Sequence, residues 1–129
     1  MIVKDLPWDS YIISETDING KITYANKAFS EACEYDITGL IGCNHNIVRA
    51  HDMPKWAFKD IWVNLKNGGE WKGIIKNQTF DGLKVYWVQA HIFPIYDGCS
   101  NIIGYRSERT PATDLEISDA MNKYDIEFD

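Results

Sequence analysis

Apolar and polar residues alternate along positions 70–79. Trp71, Gly73, Ile75 and Asn77 fall on one side; Lys72, Ile74, Lys76 and Gln78 fall on the other. A period of two is the mark of a strand with two unlike faces. Positions 84–95 repeat the pattern, with Tyr86, Val88, Ala90 and Ile92 opposite Val85, Trp87, Gln89 and His91. Asp81-Gly82 between the two runs is a hairpin signal. A turn at Asp97–Ser100 leads to a third strand over Asn101–Arg109, which Pro111 stops. Near the start, Tyr11–Glu15 and Lys21–Tyr24 flank Asp17–Gly20, whose Asn-Gly pair predicts a first hairpin.

The period changes between these strand groups. Asn26–Glu34 predicts a short helix, with Asn26 as N-cap and Ala28, Phe29, Ala32 and Cys33 as its stripe. Asp36–Ile41 is another short turn or helix, and Cys43–Met53 has no clean period. Pro54 suits a first helical turn. Phe58, Ile61, Trp62 and Leu65 then recur at helical spacing over Lys55–Lys66, and Asn67-Gly68-Gly69 ends the helix. Two strands, helices, then three strands imply an α+β fold: a five-stranded antiparallel sheet with short helices and one longer helix packed on one face. The crevice between helices and sheet is its natural ligand site.

A chain of 129 residues fits one domain. A formal charge of -6 leaves no basic patch for nucleic acid. No run approaches the length needed to span a bilayer, and Met1–Asp9 lacks a signal-peptide pattern, so a cytoplasmic location is expected. Three cysteines without CxxC spacing suit free thiols, and Cys43, His45 and His51 are poorly spaced for zinc.

Candidate chemistry gathers in residues 45–54. Arg49 offers a fork of donors for a phosphate or ring carbonyl. Asp52 is suited to a ribose, or to capping the helix near Pro54; both residues equally fit a charged surface. Asn77 places an amide on an apolar strand face, where it needs a partner: a heterocycle edge or the backbone. Trp62 suits either stacking on a planar cofactor or core packing. His45 and His51 precede the long helix, where a haem ligand is conceivable. No hydrolase, phosphate-loop or dinucleotide motif is present, and no enzymatic activity is expected.

His45-Asn46-Ile47-Val48-Arg49 followed by Asp52-Met53-Pro54 resembles the PAS domain of bacterial aerotaxis receptors. Ala57-Phe58, Trp62, residues 71–77, Tyr86-Trp87-Val88, Pro94-Ile95 and Gly104-Tyr105 continue the match in order, over about residues 10 to 115. The resemblance implies a PAS fold and a non-covalently bound FAD between long helix and sheet. It assigns Arg49, Asp52, Trp62 and Asn77 to the flavin, with His45 at a pocket position of the related flavin sensor of nitrogen-fixation control. Ala50 stands where the family carries a histidine, which implies either that His51 substitutes for it or that the flavin is bound more weakly. Arg106 and Glu108 stand at usually apolar positions, either as an ion pair or with Arg106 near the flavin. His45 stands where light-sensing relatives carry a reactive cysteine, so no covalent photoadduct is expected.

The implied organisation is an N-terminal extension over 1–9, a PAS sensory domain over 10–111 and an acidic tail or linker over 112–129. The implied function is redox or oxygen sensing for aerotaxis or related signalling, through a signalling or chemoreceptor partner. Val85, Trp87 and His91 on the outer sheet face are the candidate homodimer surface. The alternatives are a flavin-free interaction module and a sensor of haem or another small ligand, with FMN as the alternative flavin.

Overall fold

Residues 2–127 are described in the computed structural model. The strands are β1 (Ile2–Val3), β2 (Ile12–Asp17), β3 (Ile22–Ala25), β4 (Trp71–Gln78), β5 (Lys84–Tyr96) and β6 (Ile102–Pro111). The helices are α1 (Lys27–Cys33), α2 (Ile37–Leu40), α3 (Lys55–Lys66) and α4 (Asp114–Tyr124), with a 3-10 turn at His45–Val48. Five strands pair antiparallel in the order β4-β5-β6-β2-β3. The sixth, β1, pairs parallel with β5 at Lys84 and Val85, in the segment read as an N-terminal extension.

Local chemistry sets the boundaries. The Asp17 carboxylate accepts from the amides of Asn19 and Lys21, and Gly20 takes the left-handed conformation that closes the first hairpin. Asn26 caps α1 by accepting from Phe29 N, and its side chain also accepts from Ile13 N of β2 and donates to the carbonyl of Tyr11 just before that strand. Helix α3 buries Ala57, Ile61 and Leu65, at the 3.6-residue period its sequence carries. Pro54 occupies the N-cap position, and Gly68, at φ 79°, turns the chain away after Asn67.

Pairing register then decides what faces the helices. Trp71, Gly73, Ile75 and Asn77 are opposite Ile92, Ala90, Val88 and Tyr86, so these residues share one face. Ile12, Ser14 and Thr16 extend it across β2, opposite Arg109, Ser107 and Tyr105 of β6. The main core lies between this face and α1–α3, around Phe29, Leu40, Val48, Ile61 and Val88.

The other face departs from expectation. Helix α4 folds back onto β4, where the Tyr124 hydroxyl donates to the Ile74 carbonyl at 2.7 Å. Its start is fixed by a Thr113–Glu116 capping box. Val85 and Trp87, expected as an exposed docking or homodimer face, are buried in this protomer at 1% and 7% exposure. That expectation is corrected. Trp87 belongs to the same buried cluster as Ala120, Met121 and Tyr124 of α4, so the chain covers this surface itself. His91 stays partly exposed beside Glu70. Among the described residues no helix is long and apolar enough to cross a membrane.

Candidate functional site

A cavity of about 330 Å³ lies between the inner sheet face and α3. Phe58, Ile61, Trp62 and Leu65 line it from α3, and Ile75 and Ile92 from β4 and β5. Polar groups enter from Asn44 and His45, from Asn77, and from Ser107 and Arg109 of β6. An apolar chamber with a few convergent donors and acceptors is the usual form of a small-ligand site.

Two of the predicted residues are held side by side by backbone. Arg49 and Asn77 form an isolated antiparallel bridge, and Ala50 N donates to Lys76 O at 3.2 Å. The loop before α3 is thereby fastened to β4. Arg49 lays its guanidinium over the Phe58 ring, 4.1 Å from the centroid. The Asn77 side chain is 6% exposed and has no hydrogen-bond partner among the described residues. Trp62 meets Tyr105 edge to face with centroids 5.2 Å apart, leaving both rings on the cavity wall.

His45, Arg49, Trp62 and Asn77 are thus brought together, whereas Asp52 and His51 are not. Asp52 sits on the other side of the loop and accepts from Lys76 Nζ at 2.7 Å. Lys76 points to the far side of the sheet and is 3% exposed, so Asp52 places an anion beside a buried cation. His51 is exposed and does not line the cavity. Ala50, at the position of the missing family histidine, is buried in the core cluster. Arg106 bonds Glu15 and Glu108 at 2.8 Å each, so the ion pair is present, and Arg106 also borders the cavity.

Sequence reasoning missed Arg109. Its guanidinium is 2% exposed at the inner end of the cavity. Nη2 donates to Ser14 Oγ at 2.6 Å, Nη1 donates to His45 Nε2 at 3.1 Å, and the group lies over the Phe29 ring. Nε is buried without a partner, and no carboxylate lies within ion-pair reach of Arg109 among the described residues. Loss of hydration lowers its pKa to about 10, which still leaves it charged at neutral pH. The signal was available in β6, where period two puts Tyr105, Ser107 and Arg109 on the inner face.

Those contacts define His45 as well. Nε2 accepts from Arg109, and the Ser14 hydroxyl, itself accepting from Arg109, donates to it at 2.9 Å. The imidazole is therefore neutral with its proton on Nδ1. Burial, then the Arg109 charge, pushes its pKa down to about 3. With Nε2 engaged, that nitrogen is not free to ligate a haem iron.

An antiparallel sheet, helices across one face and a chamber between them define a single α+β domain with an internal cavity. A PAS domain family model matches residues 9–107, and the chain belongs to that family. The aerotaxis receptor of Escherichia coli (strain K12) is 45% identical over 111 residues, covering 85% of this chain and 21% of that protein. The nitrogen fixation regulatory protein of Klebsiella pneumoniae is 33% identical over 86 residues, covering 67% of this chain and 17% of that protein. The chain thus spans about a fifth of these relatives' lengths. A PAS domain from Colwellia psychrerythraea superposes with a TM-score of 0.73 at 22% identity, covering 84% of this chain and 91% of that one. A light-oxygen-voltage domain superposes with a TM-score of 0.73 at 20% identity, covering 91% and 87%. These two likenesses concern the fold alone.

Proposed function

We propose that this domain holds FAD non-covalently in the cavity and reports redox state or oxygen to a signalling protein. The observation that carries the reading is the Asn77 amide. It is buried, aimed into the chamber and without a protein partner, beside the Trp62 ring and the Arg49 guanidinium. Its polar atoms stay open to the chamber, where a bound heterocycle edge with both donor and acceptor atoms pairs with them. The apolar walls suit a planar ring, and the donors of Arg49 and Arg109 suit acceptor atoms on it. Kinship with an aerotaxis receptor supports the sensory role, and the light-oxygen-voltage structure comes from work with a flavin analogue.

Arg49, Asn77, Trp62 and His45 are the residues that hold the ligand. Asp52 supports them by pinning the Arg49 loop through Lys76, and His51 lies outside the set. A bound flavin supplies reversible electron acceptance; the protein supplies hydrogen bonds that differ in strength between its oxidation states. Asn77 and Lys76 are consecutive on β4, one facing the cavity and the other facing Asp52 and the α4 side. A shift of β4 is therefore felt on both sheet faces.

The test is an absorption spectrum of purified protein, with chromatography of the released cofactor. Flavin bands with FAD in the extract are expected. Asn77→Leu is expected to weaken FAD binding about 10- to 100-fold, for a loss of roughly 1.5–3 kcal/mol, while the melting temperature is retained. A spectrum that stays featureless after incubation with FAD overturns the reading in favour of a flavin-free interaction module, and a Soret band overturns it in favour of haem.

A further inference from the structure

Most buried cations in proteins are paired with an anion, because taking an isolated charge out of water is costly. Arg109 departs from this. Its partners are a neutral hydroxyl, a neutral imidazole and an aromatic face, and one nitrogen has no partner. The group is rigidly held and borders the chamber. Among the described residues no anion faces it: the nearest strand positions on this face are Ile12, Ser14, Ser107 and Ala90, and burial raises the pKa of its titratable neighbours Cys33 and Tyr86, keeping them protonated. The protein has built a fixed positive charge into a poorly hydrated wall, where charge interactions reach further than in water.

We infer that Arg109 is the counter-charge for a negatively charged state of the cavity's occupant, and so sets how readily that occupant is reduced. This rests on the proposed flavin reading. A flavin ring that accepts two electrons and one proton gains one net negative charge. The oxidised ring is neutral and gains from Arg109 only as a hydrogen-bond acceptor. The reduced ring gains the charge interaction as well. Arg109 therefore binds the reduced form more tightly than the oxidised one, and by linkage raises the midpoint potential of the bound flavin. His45 takes part as a positioning residue. Its Nε2 and Ser14 Oγ fix the guanidinium plane without cancelling its charge, which a carboxylate in either place would do.

The experiment is a dithionite titration of the FAD-loaded protein against reference dyes, on wild type, Arg109→Gln, Arg109→Lys and His45→Glu. Arg109→Gln is expected to favour the oxidised form by tenfold or more, a fall of about 30 mV or more in the two-electron midpoint. Arg109→Lys keeps the charge and is expected to restore most of the wild-type value. His45→Glu keeps Arg109 but gives it a counter-ion, and is expected to shift the midpoint in the same direction as Arg109→Gln. It also serves as the reporter if Arg109→Gln does not fold. If Arg109 instead grips a phosphate of FAD, its loss weakens both oxidation states equally and the midpoint stays put. A wild-type midpoint in Arg109→Gln, or in His45→Glu where only that variant folds, overturns the inference alone. A protein that takes up no flavin overturns the proposed function, and this inference with it.

Discussion

His45 carries a pH dependence that its surroundings dictate. The unfolded chain protonates this imidazole near its ordinary pKa of 6.5, while the folded protein resists until about 3. Between those values the unfolded state binds more protons, so stability falls as pH falls. The contribution is fully present above about pH 6.5 and declines by at most about 1.4 kcal/mol per pH unit below it. The lowered carboxylates, Glu34, Asp81, Asp97 and Glu108, lose their contributions at more acid pH, so the two effects separate. Urea midpoints of wild type should fall between pH 6 and pH 5, and those of His45→Gln should be nearly flat there. Parallel curves would show that the histidine is free to protonate in the folded state. The same contacts explain why a histidine survives in a chamber with a permanent cation: as an acceptor at Nε2, its neutral form is the one Arg109 prefers.

Helix α4 illustrates what one element contributes. Its capping box and Tyr124–Ile74 bond set its position, and Ala120, Met121 and Tyr124 give it a buried stripe. Tyr124→Phe removes a hydroxyl and leaves the Ile74 carbonyl without that donor, at a cost of roughly 1 kcal/mol. The denaturant midpoint should drop accordingly, and backbone amides of β4 should exchange with solvent faster. An unchanged midpoint and unchanged exchange would mean that the helix does not hold this face closed. At this scale the sequence was largely legible. Alternation located β4 and β5, the apolar stripe located α3, Asn26 marked the start of α1 and the Asn19-Gly20 turn marked the first hairpin. Two short-range blind spots remain. A two-residue strand such as β1 has no period to detect. The outer face of β4 and β5 also reads as solvent-facing, because Lys76 and Gln78 are polar, yet α4 covers it and both are buried. Alternation tells which residues share a face; it does not tell which faces receive a second layer. The site was legible to the same degree. Asn77 stands out as an amide on an apolar face, whereas Arg109 reads as one more charge in the run with Arg106 and Glu108, and only the pairing register shows it buried.

Across the whole molecule, the pairing distances along the chain are unequal. Strands β4, β5 and β6 follow one another as a meander with short turns. Strand β2 finds its partner β6 only through residues 12–17 against 104–109, at nearly opposite ends of the domain. Closing so long a loop costs entropy before any contact repays it, and such pairings form slowly. Pulse-labelling hydrogen exchange during refolding should therefore protect amides of β4 and β5 before those of β2. Simultaneous protection would show that the sheet assembles as one unit. The β2–β6 seam also carries Ser14 on one side and Arg109 on the other, so it is the seam that completes the chamber. During synthesis the first hairpin emerges early and waits for the last strand to leave the ribosome. Until that strand arrives there is no place for a ligand to sit, which makes loading of the domain an event that follows translation of its final strand and does not guide the steps before it.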